Sequence, residues 1–370
     1  MGWSSHHATG LIYYAPQHAY RGYTLVSTNR GGYHASLIDM EGRVCHRWHS
    51  DEGIAYPYLL ANGNLLLRTA PPEELDPADR LGGSSASLLE LDWDSNVVWN
   101  YRNPSLHHDF QRLPNGNTLA LLWEPLPETL AAQIMGGYET DGDPGVILGD
   151  LVQEITPGGE VAYQWKSWEH LNPEEDVICP LERRREWTHQ NALNVTTDGD
   201  LLVSFRQTST VGIIEKASGE FSWKWGPGEV NHQHHPTFLD NGRVLIFDNG
   251  CHRRGPSRSR IIEVDPETNE LAWEYQGTPD ISFYSYNISS AERQPNGNTL
   301  ICEGAPGRIF EVTHSKEIVW EYVNPFFGDA GPGGSVNGVF RAHRYGPDHP
   351  GLRDKDLDPA RYDNINRLYA

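Results

Sequence analysis

The sequence predicts an all-β protein, a six-bladed β-propeller with four-stranded antiparallel blades around a central channel. Two alternating patterns predict it: a strand–turn–strand phrase that ends in tryptophan, and a tight turn that leads into an apolar strand. The tryptophans lie 47–66 residues apart, near the ~40–50 residues of a propeller blade with room for insertions. A seven-bladed ring is the alternative, because the long Trp99–Trp165 interval has room for another blade.

The tryptophan phrase occurs six times and ends at Trp48, Trp99, Trp165, Trp223, Trp273 and Trp320. Several of these tryptophans are followed two residues later by another aromatic residue, as in Trp273-Glu274-Tyr275. Residues i and i+2 share one face of a strand. One repeat cannot bury such a face alone, so neighbouring repeats must stack on one another.

The turn phrase carries Asn-Gly or Asp-Gly pairs, at 62–63, 115–116, 198–199, 241–242 and 296–297. These pairs supply the positive φ that tight hairpin turns require. At the two ends of the chain, we expect a strand at 23–27 to pair with residues 338–342 and complete a blade. No helical period of useful length is found, and the segments 127–150 and 169–186 are predicted to be insertion loops.

Composition limits the function. We predict one domain over residues 1–370 with a polar C-terminal tail at 346–370. A formal net charge of −21 argues against a nucleic-acid partner. No apolar run approaches the roughly 18 residues that span a bilayer, so no membrane partner is predicted. The absence of a recognisable leader and of CxxC pairs indicates a cytoplasmic protein, with export as the alternative if a leader is missing from this sequence.

Histidines are the main chemical signal. They occur in 107–109, 188–191 and 231–236, each time just before a turn–strand phrase. The innermost strands of a propeller surround one axis, so these side chains are expected to converge. Arg206 ends an apolar strand and needs an anionic partner. The candidate catalytic residues are therefore His234, His108, His189 and Arg206, and the candidate substrate-binding residues are Asn191, His232, His235, Arg254 and His343.

Imidazoles and a guanidinium in a low-dielectric channel predict an anion site for a sulfate- or phosphate-like group. One imidazole could alternatively act as a nucleophile or as an acid–base group. We predict no cofactor and no metal ligand. A divalent metal remains an alternative, held by His232 and His234 or by His107 and His108, with Asp109 or Asp248 adding a carboxylate.

Four motifs in order resemble those of PAPS-independent bacterial arylsulfate sulfotransferases. They are His107-His108-Asp109, Trp187-Thr188-His189-Gln190-Asn191, Ser204-Phe205-Arg206, and Gln233-His234 followed by Phe247-Asp248-Asn249-Gly250. The resemblance implies a propeller in which His234 is a nucleophile that forms a sulfohistidine. It implies that His108, His189 and Arg206 hold the sulfuryl oxygens. The larger members of that family are exported and carry an N-terminal β domain and a disulfide, so this chain resembles a short form.

Three functions remain open from the sequence. The first is an aryl-sulfate sulfotransferase that acts on a phenolic acceptor. The second is a lyase or hydrolase that uses the same histidines on an acidic or aromatic small molecule, such as a uronate-containing saccharide. The third is a propeller that binds a partner without catalysis. The histidine pattern favours an enzyme with a small aromatic or acidic substrate.

Overall fold

Six antiparallel four-stranded sheets make up most of the described chain and are the blades of a six-bladed β-propeller. The structure, a computed structural model, describes residues 8–71, 81–141, 143, 145–331 and 334–369. The prediction about a leader at residues 1–7 lies outside these ranges. The predicted fold class is confirmed, and the prediction of one domain over 1–370 stays a prediction.

The first compact unit comprises the described part of residues 1–73, 86–102 and 287–370. It contains blades 1, 2 and 6, numbered along the chain. The strands of blade 1 are Tyr23–Ser27, His34–Ile38, Val44–His49 and His343–Tyr345; those of blade 2 are Tyr56–Leu59, Leu65–Arg68, Ser87–Leu91 and Val97–Arg102; those of blade 6 are Ser290–Arg293, Thr299–Glu303, Arg308–Val312 and Ile318–Val323, with Gly10–Tyr14 added at the edge.

The second compact unit comprises the described part of residues 74–85 and 103–286. It contains blades 3, 4 and 5. The strands of blade 3 are Leu106–Arg112, Thr118–Pro125, Leu148–Ile155 and Val161–Lys166, with Glu186–Trp187 added in parallel; those of blade 4 are Gln190–Val195, Leu201–Phe205, Thr210–Ile214 and Phe221–Trp225; those of blade 5 are His234–Phe238, Val244–Asp248, Arg260–Val264 and Leu271–Gln276.

Every repeated tryptophan lies in the fourth strand of its blade, counted across the sheet with His343–Tyr345 as the first strand of blade 1, which explains the first sequence pattern. Its indole also links neighbouring blades of the same unit in three cases. The Nε1 of Trp165 donates to Gly219 O at 2.9 Å, and that of Trp320 donates to Met40 O at 2.9 Å. In both cases the acceptor lies in the turn before the next blade's fourth strand, and Trp223 donates to Asn269 in the same way. Each indole thus buries its ring and satisfies its N–H.

The predicted Asn-Gly and Asp-Gly turns connect the first two strands of blades 2 to 6. Their glycines have the expected positive φ, for example +88° at Gly116 and +91° at Gly199. Conversely, the seven-bladed alternative is wrong. The long interval after Trp99 holds blade 3 together with an insertion that contains the short helix α1 (Glu128–Ala131) and the strand Gly136–Tyr138.

The two ends of the chain share blade 1, but the predicted partner of Tyr23–Ser27 is displaced. It is His343–Tyr345, with Leu25 opposite His343, and not residues 338–342. The earlier residues are already engaged with blade 6, because Val339 N donates to Gly304 O at 2.9 Å and Phe340 O accepts from Ser289 N at 3.0 Å. Their backbone groups are therefore used before the chain reaches blade 1.

The tail after residue 345 contains two 3₁₀ turns, Pro350–Leu352 and Pro359–Tyr362, and the helix α2 (Asp363–Tyr369). Asn366 of this helix accepts from Val44 N at 2.8 Å and donates to Val44 O at 3.2 Å. The helix therefore covers part of the exposed edge of blade 1, a common protection of edge strands. None of the helices in the described ranges is both long and apolar enough to cross a bilayer.

Two further strand pairs and two 3₁₀ turns complete the described elements. Gly136–Tyr138 pairs in parallel with Ile178–Arg183, which brings both predicted insertions of the second unit together. Gly328–Asp329 pairs with Ser335–Val336 in the first unit. The 3₁₀ turns are Ser167–Glu169 and Asp280–Ser282.

Candidate functional site

The backbone is irregular where the histidines enter blades 3, 4 and 5. The pairing between the first two strands slips beside His108, beside Asn191 and at His235-Pro236. His108, His189 and His235 have φ values of +39°, +60° and +47°. A left-handed conformation costs a non-glycine residue roughly 1–2 kcal/mol. Such conformations persist where the surrounding structure fixes them, often at functional sites.

His108 and His189 come together as the sequence predicts. Their ring centroids lie 4.5 Å apart, and both side chains are buried. The Nδ1 of His108 is 3.0 Å from Nδ1 of His107, whose ring stacks on Trp123. Side-chain contacts therefore hold this imidazole pair in place.

Glu186 orients His189, because its Oε1 lies 2.6 Å from Nδ1 of His189. Asp150 lies behind this pair. Its carboxylate accepts from Thr188 N at 2.8 Å and from Thr188 Oγ1 at 3.0 Å. Burial raises the pKa of Asp150 to about 6, and the neighbouring Glu186 charge adds to this increase. Sequence reasoning included neither acid, although Glu186 stands only three residues before His189.

His234 is held by its Nδ1 atom. This atom lies 2.8 Å from Oδ1 of Asn249 and 3.1 Å from the His232 carbonyl oxygen. The Asn249 amide is itself oriented, since its Nδ2 donates to Ser285 O at 2.9 Å. Two oxygen acceptors require a proton on Nδ1, so in the neutral ring the lone pair is on Nε2. Asn249 follows strand Val244–Asp248 and belongs to one of the four sequence motifs, but the sequence does not reveal its role.

Arg206 follows strand Leu201–Phe205 and is joined to the histidines through its backbone, because its N–H donates to His189 O at 3.0 Å. Its guanidinium finds an anionic partner within the chain: Nη1 lies 2.8 Å from Oε1 of Glu182, on strand Ile178–Arg183. The anionic partner that the sequence predicts for Arg206 is thus the carboxylate of Glu182, which belongs to an insertion. Glu182 was not among the predicted site residues.

His232 connects these groups. It is buried, its Nε2 lies 3.1 Å from Nδ1 of His252, and its Nδ1 lies 3.5 Å from Oε1 of Glu182. Burial, followed by the positive charges of Arg206 and His252, lowers the pKa of His232 to about 2. The imidazole is therefore neutral over the physiological pH range.

The remaining predicted residues occupy different positions. Asn191 is buried and its Nδ2 donates to Gln233 O at 2.8 Å, which ties the His189 segment to the His234 segment. His235 is buried in the bulge of blade 5. Arg254 is exposed, whereas its neighbour Arg253 is bonded to Asp248.

His343 belongs to the first unit. Its Nε2 lies 3.0 Å from the Tyr56 hydroxyl, and its Nδ1 lies 2.9 Å from Oε1 of Glu292.

Gln233 is a positioning residue that the sequence did not reveal. Its buried side chain donates from Nε2 to Ser204 Oγ at 3.0 Å and to Thr210 O at 2.9 Å. It thereby fastens the segment before His234 to two strands of blade 4. The motif showed Gln233 beside the histidine, but only the structure shows which strands it holds.

Two carboxylates of the metal alternative are already engaged. Asp109 accepts from Phe110 N at 2.9 Å and from Leu193 N at 2.8 Å, and Asp248 pairs with Arg253 and Arg260. Among the described residues, Cys179, His232 and His252 bring three metal-binding donor atoms within 4.8 Å of one another.

The second unit therefore contains an imidazole with a defined tautomer, an imidazole pair and an arginine, with carboxylates beside them. A family model for arylsulfotransferase (ASST) matches residues 83–325, well over half of the chain. The chain belongs to the arylsulfotransferase family. The matched range includes His108, His189, Arg206 and His234, so the family match spans all four candidate catalytic residues.

Two solved structures superpose on most of the chain. A protein of unknown function from Bacteroides caccae is 14% identical, with a TM-score of 0.55 over 87% of this chain and 98% of that chain. A streptogramin B lyase is 13% identical, with a TM-score of 0.48 over 87% of this chain and 84% of that chain. At 14% identity, the likeness to the first of these structures shows a similar fold alone. No curated protein shows significant similarity to the chain.

Proposed function

We propose that the protein transfers a sulfuryl group from an aryl sulfate to a phenolic acceptor through a sulfohistidine at His234. Membership of the arylsulfotransferase family supports a transferase. The observation that carries the proposal is the pair of oxygen acceptors on His234 Nδ1, Asn249 Oδ1 at 2.8 Å and His232 O at 3.1 Å. They keep the proton on Nδ1, so Nε2 presents the nucleophilic lone pair.

In the first half-reaction, His234 Nε2 forms a bond to sulfur while the bond between sulfur and the aryl oxygen breaks. The aryl oxygen leaves as a phenolate, which takes a proton from the site or from solvent. In the second half-reaction, the oxygen of the acceptor phenol attacks sulfur, loses its proton, and displaces His234. The acceptor leaves as its aryl sulfate and the imidazole is regenerated, so no cofactor is consumed.

Charge stabilisation falls to Arg206, His108 and His189. Developing charge lies on the three sulfuryl oxygens and on the leaving oxygen, and fixed donors in a buried site stabilise such charge strongly. Glu186 accepts from Nδ1 of His189, so the other ring nitrogen can face the substrate. The Glu182 contact holds the guanidinium of Arg206 until a sulfuryl oxygen competes for it.

The proposal is tested with p-nitrophenyl sulfate as donor and phenol as acceptor. We expect release of nitrophenolate together with formation of phenyl sulfate. After rapid alkaline quenching, the peptide that contains His234 should carry an acid-labile sulfuryl adduct. His234→Ala should reduce the rate by at least about 10³-fold, because the nucleophile is lost. His314→Asn, at an exposed histidine of blade 6, is the matched control and should leave the rate unchanged.

Product analysis separates this function from the alternatives. An unsaturated, ultraviolet-absorbing product from a uronate-containing saccharide, with no sulfuryl transfer, would replace the proposal by a lyase. Hydrolysis of aryl sulfate without transfer to phenol would indicate a hydrolase. Wild-type protein that neither releases nitrophenolate nor forms the histidine adduct with any aryl sulfate donor would contradict the proposed reaction.

A further inference from the structure

A second cluster of reactive side chains lies beside the candidate sulfuryl site. Cys179 comes from the insertion strand Ile178–Arg183, His232 from the segment before blade 5, and His252 from the turn after strand Val244–Asp248. Their donor atoms all lie within 4.8 Å of one another. The proposed sulfuryl transfer assigns no chemical step to Cys179 or His252.

The distances match those between ligands of one metal ion. Cys179 Sγ lies 3.5 Å from His252 Nδ1, and His252 Nδ1 lies 3.1 Å from His232 Nε2. Tetrahedral zinc has bonds of about 2.0–2.1 Å to nitrogen and about 2.3 Å to sulfur. These bonds require a separation of about 3.6 Å between a sulfur and a nitrogen ligand, and of about 3.3 Å between two nitrogen ligands. Two of the three separations therefore fit to within a few tenths of an ångström. The third, between Cys179 and His232, lies within 4.8 Å and must shorten by up to about 1.2 Å when an ion binds.

The second ring nitrogen of His232, Nδ1, supports the same assignment. Its Nδ1 is buried, makes no hydrogen bond, and lies 3.5 Å from Oε1 of Glu182. A metal on Nε2 would fix the proton on Nδ1 and direct it toward Glu182. Carboxylates commonly accept from the second ring nitrogen of metal-bound histidines in this way. An otherwise unsatisfied buried donor would then gain its partner.

The donor types fit a soft divalent metal. The cluster offers two imidazole nitrogens and one thiol sulfur, and the thiol must lose its proton when a metal binds. A thiolate with two imidazoles favours zinc-like ions over magnesium or calcium. His252 is partly exposed and leaves an entry path for the ion.

We propose that Cys179, His232 and His252 bind one zinc-class divalent transition metal, with the fourth coordination position available to water. Binding replaces the thiol proton of Cys179 with the metal and releases that proton to solvent. This site is independent of the sulfuryl-transfer proposal. It shares two residues with it: Glu182, which contacts both Arg206 and the cluster, and His232, whose carbonyl oxygen accepts from Nδ1 of His234.

The test titrates metal-free, reduced protein with Co²⁺, whose spectrum reports its ligands. We expect saturation at one ion per chain, intense ligand-field bands of tetrahedral cobalt, and a thiolate charge-transfer band. Zn²⁺ should displace Co²⁺ and abolish the bands. Affinity should increase with pH as the Cys179 proton becomes easier to remove.

Variants assign the ligands. Cys179→Ser should abolish the charge-transfer band, and His252→Asn should weaken Co²⁺ binding by at least tenfold. Both residues are partly exposed, so these variants should fold even if changes at buried His232 do not. Cys251→Ser is the matched control, a nearby thiol outside the proposed ligand set, and should retain the spectrum. Absence of the bands in wild-type protein, or their loss in Cys251→Ser but not in Cys179→Ser, would overturn the assignment.

Discussion

Nδ1 of His234 lies 2.8 Å from Oδ1 of Asn249, although the two residues are 15 positions apart in the sequence. Because the Asn249 amide is fixed by its bond to Ser285 O, it selects one histidine tautomer. Nucleophilic histidine chemistry depends on that selection, as the general role of orienting groups in catalytic triads illustrates.

Asn249→Ala should reduce sulfuryl transfer about 10–100-fold, because the Nδ1 proton loses its side-chain acceptor and the ring loses its fixed orientation. The rate of nitrophenolate release under single-turnover conditions measures the effect. Asn249→Asp keeps an oxygen for Nδ1 and should retain more activity than the alanine variant. Equal rates for the alanine variant and wild type would show that Asn249 does not set the tautomer.

Glu182→Gln should strengthen the binding of inorganic sulfate about 3–10-fold, since the variant removes a negative charge that pairs with Arg206 at 2.8 Å. Calorimetric titration with sulfate at low ionic strength measures the change. Glu174→Gln, an exposed acid in the same insertion, is the control and should leave the affinity unchanged. Weaker sulfate binding in Glu182→Gln would argue that Glu182 serves only to position Arg206.

Gly83→Ala should lower the free energy of unfolding by about 2–4 kcal/mol, because it combines backbone strain with a steric clash. Gly83 has a φ of +84°, and a Cβ there would overlap the His108 imidazole. Gly199→Ala is the matched control: φ is +91° but no atom lies within 4 Å of the added Cβ. Gly199→Ala should lower the free energy of unfolding only by the cost of the left-handed backbone, about 1–2 kcal/mol. Urea unfolding measures both, and equal losses would exclude a tight fit against His108.

Asp150 should make the protein less stable as pH rises from about 4 to 6. Its folded pKa of about 6 exceeds the unfolded value of 3.8, so the folded state binds more protons in that window and loses relative stability as they leave. The full effect is about 3 kcal/mol for two pKa units. Asp150→Asn should remove this part of the pH dependence, as measured by urea unfolding at pH 4 and pH 7.

Asp94→Asn, at an exposed carboxylate, is the control for Asp150→Asn. It should retain the wild-type dependence of the unfolding free energy on pH. Among the neighbouring charges, that of Glu186 raises the pKa of Asp150 and that of His189 lowers it. Parallel profiles for wild type and Asp150→Asn would mean that Asp150 stays ionised, or stays protonated, throughout the range.

Local repetition explains how much of the fold the sequence reveals. The tryptophans and the Asn-Gly turns recur in register, so they identify the fourth strands and the first hairpins of the blades. His108, His189 and His234 could be found because they precede those turns. The tail helix α2 is only two turns long and has too few apolar positions to show a helical period.

Residues outside the repeat could not be found in the same way. Glu182 and Cys179 reach the site on strand Ile178–Arg183, which belongs to an insertion without a counterpart in the other blades. The sequence predicts a partner for Tyr23–Ser27 that lies a few residues too early, because both candidate segments are short and partly apolar. Only the backbone bonds of residues 339 and 340 to blade 6 decide between them.

The pairing within blade 1 also has a consequence for biosynthesis. Arg344 lies opposite Thr24, and these residues are 320 positions apart. During translation, Tyr23–Ser27 can pair early with His34–Ile38 on one edge. Its other edge must wait until His343–Tyr345 leaves the ribosome, near the end of the chain. Its unpaired edge is therefore exposed longer than that of any strand whose partner follows directly, and nascent chains stalled before His343 should be the ones that recruit chaperones most strongly.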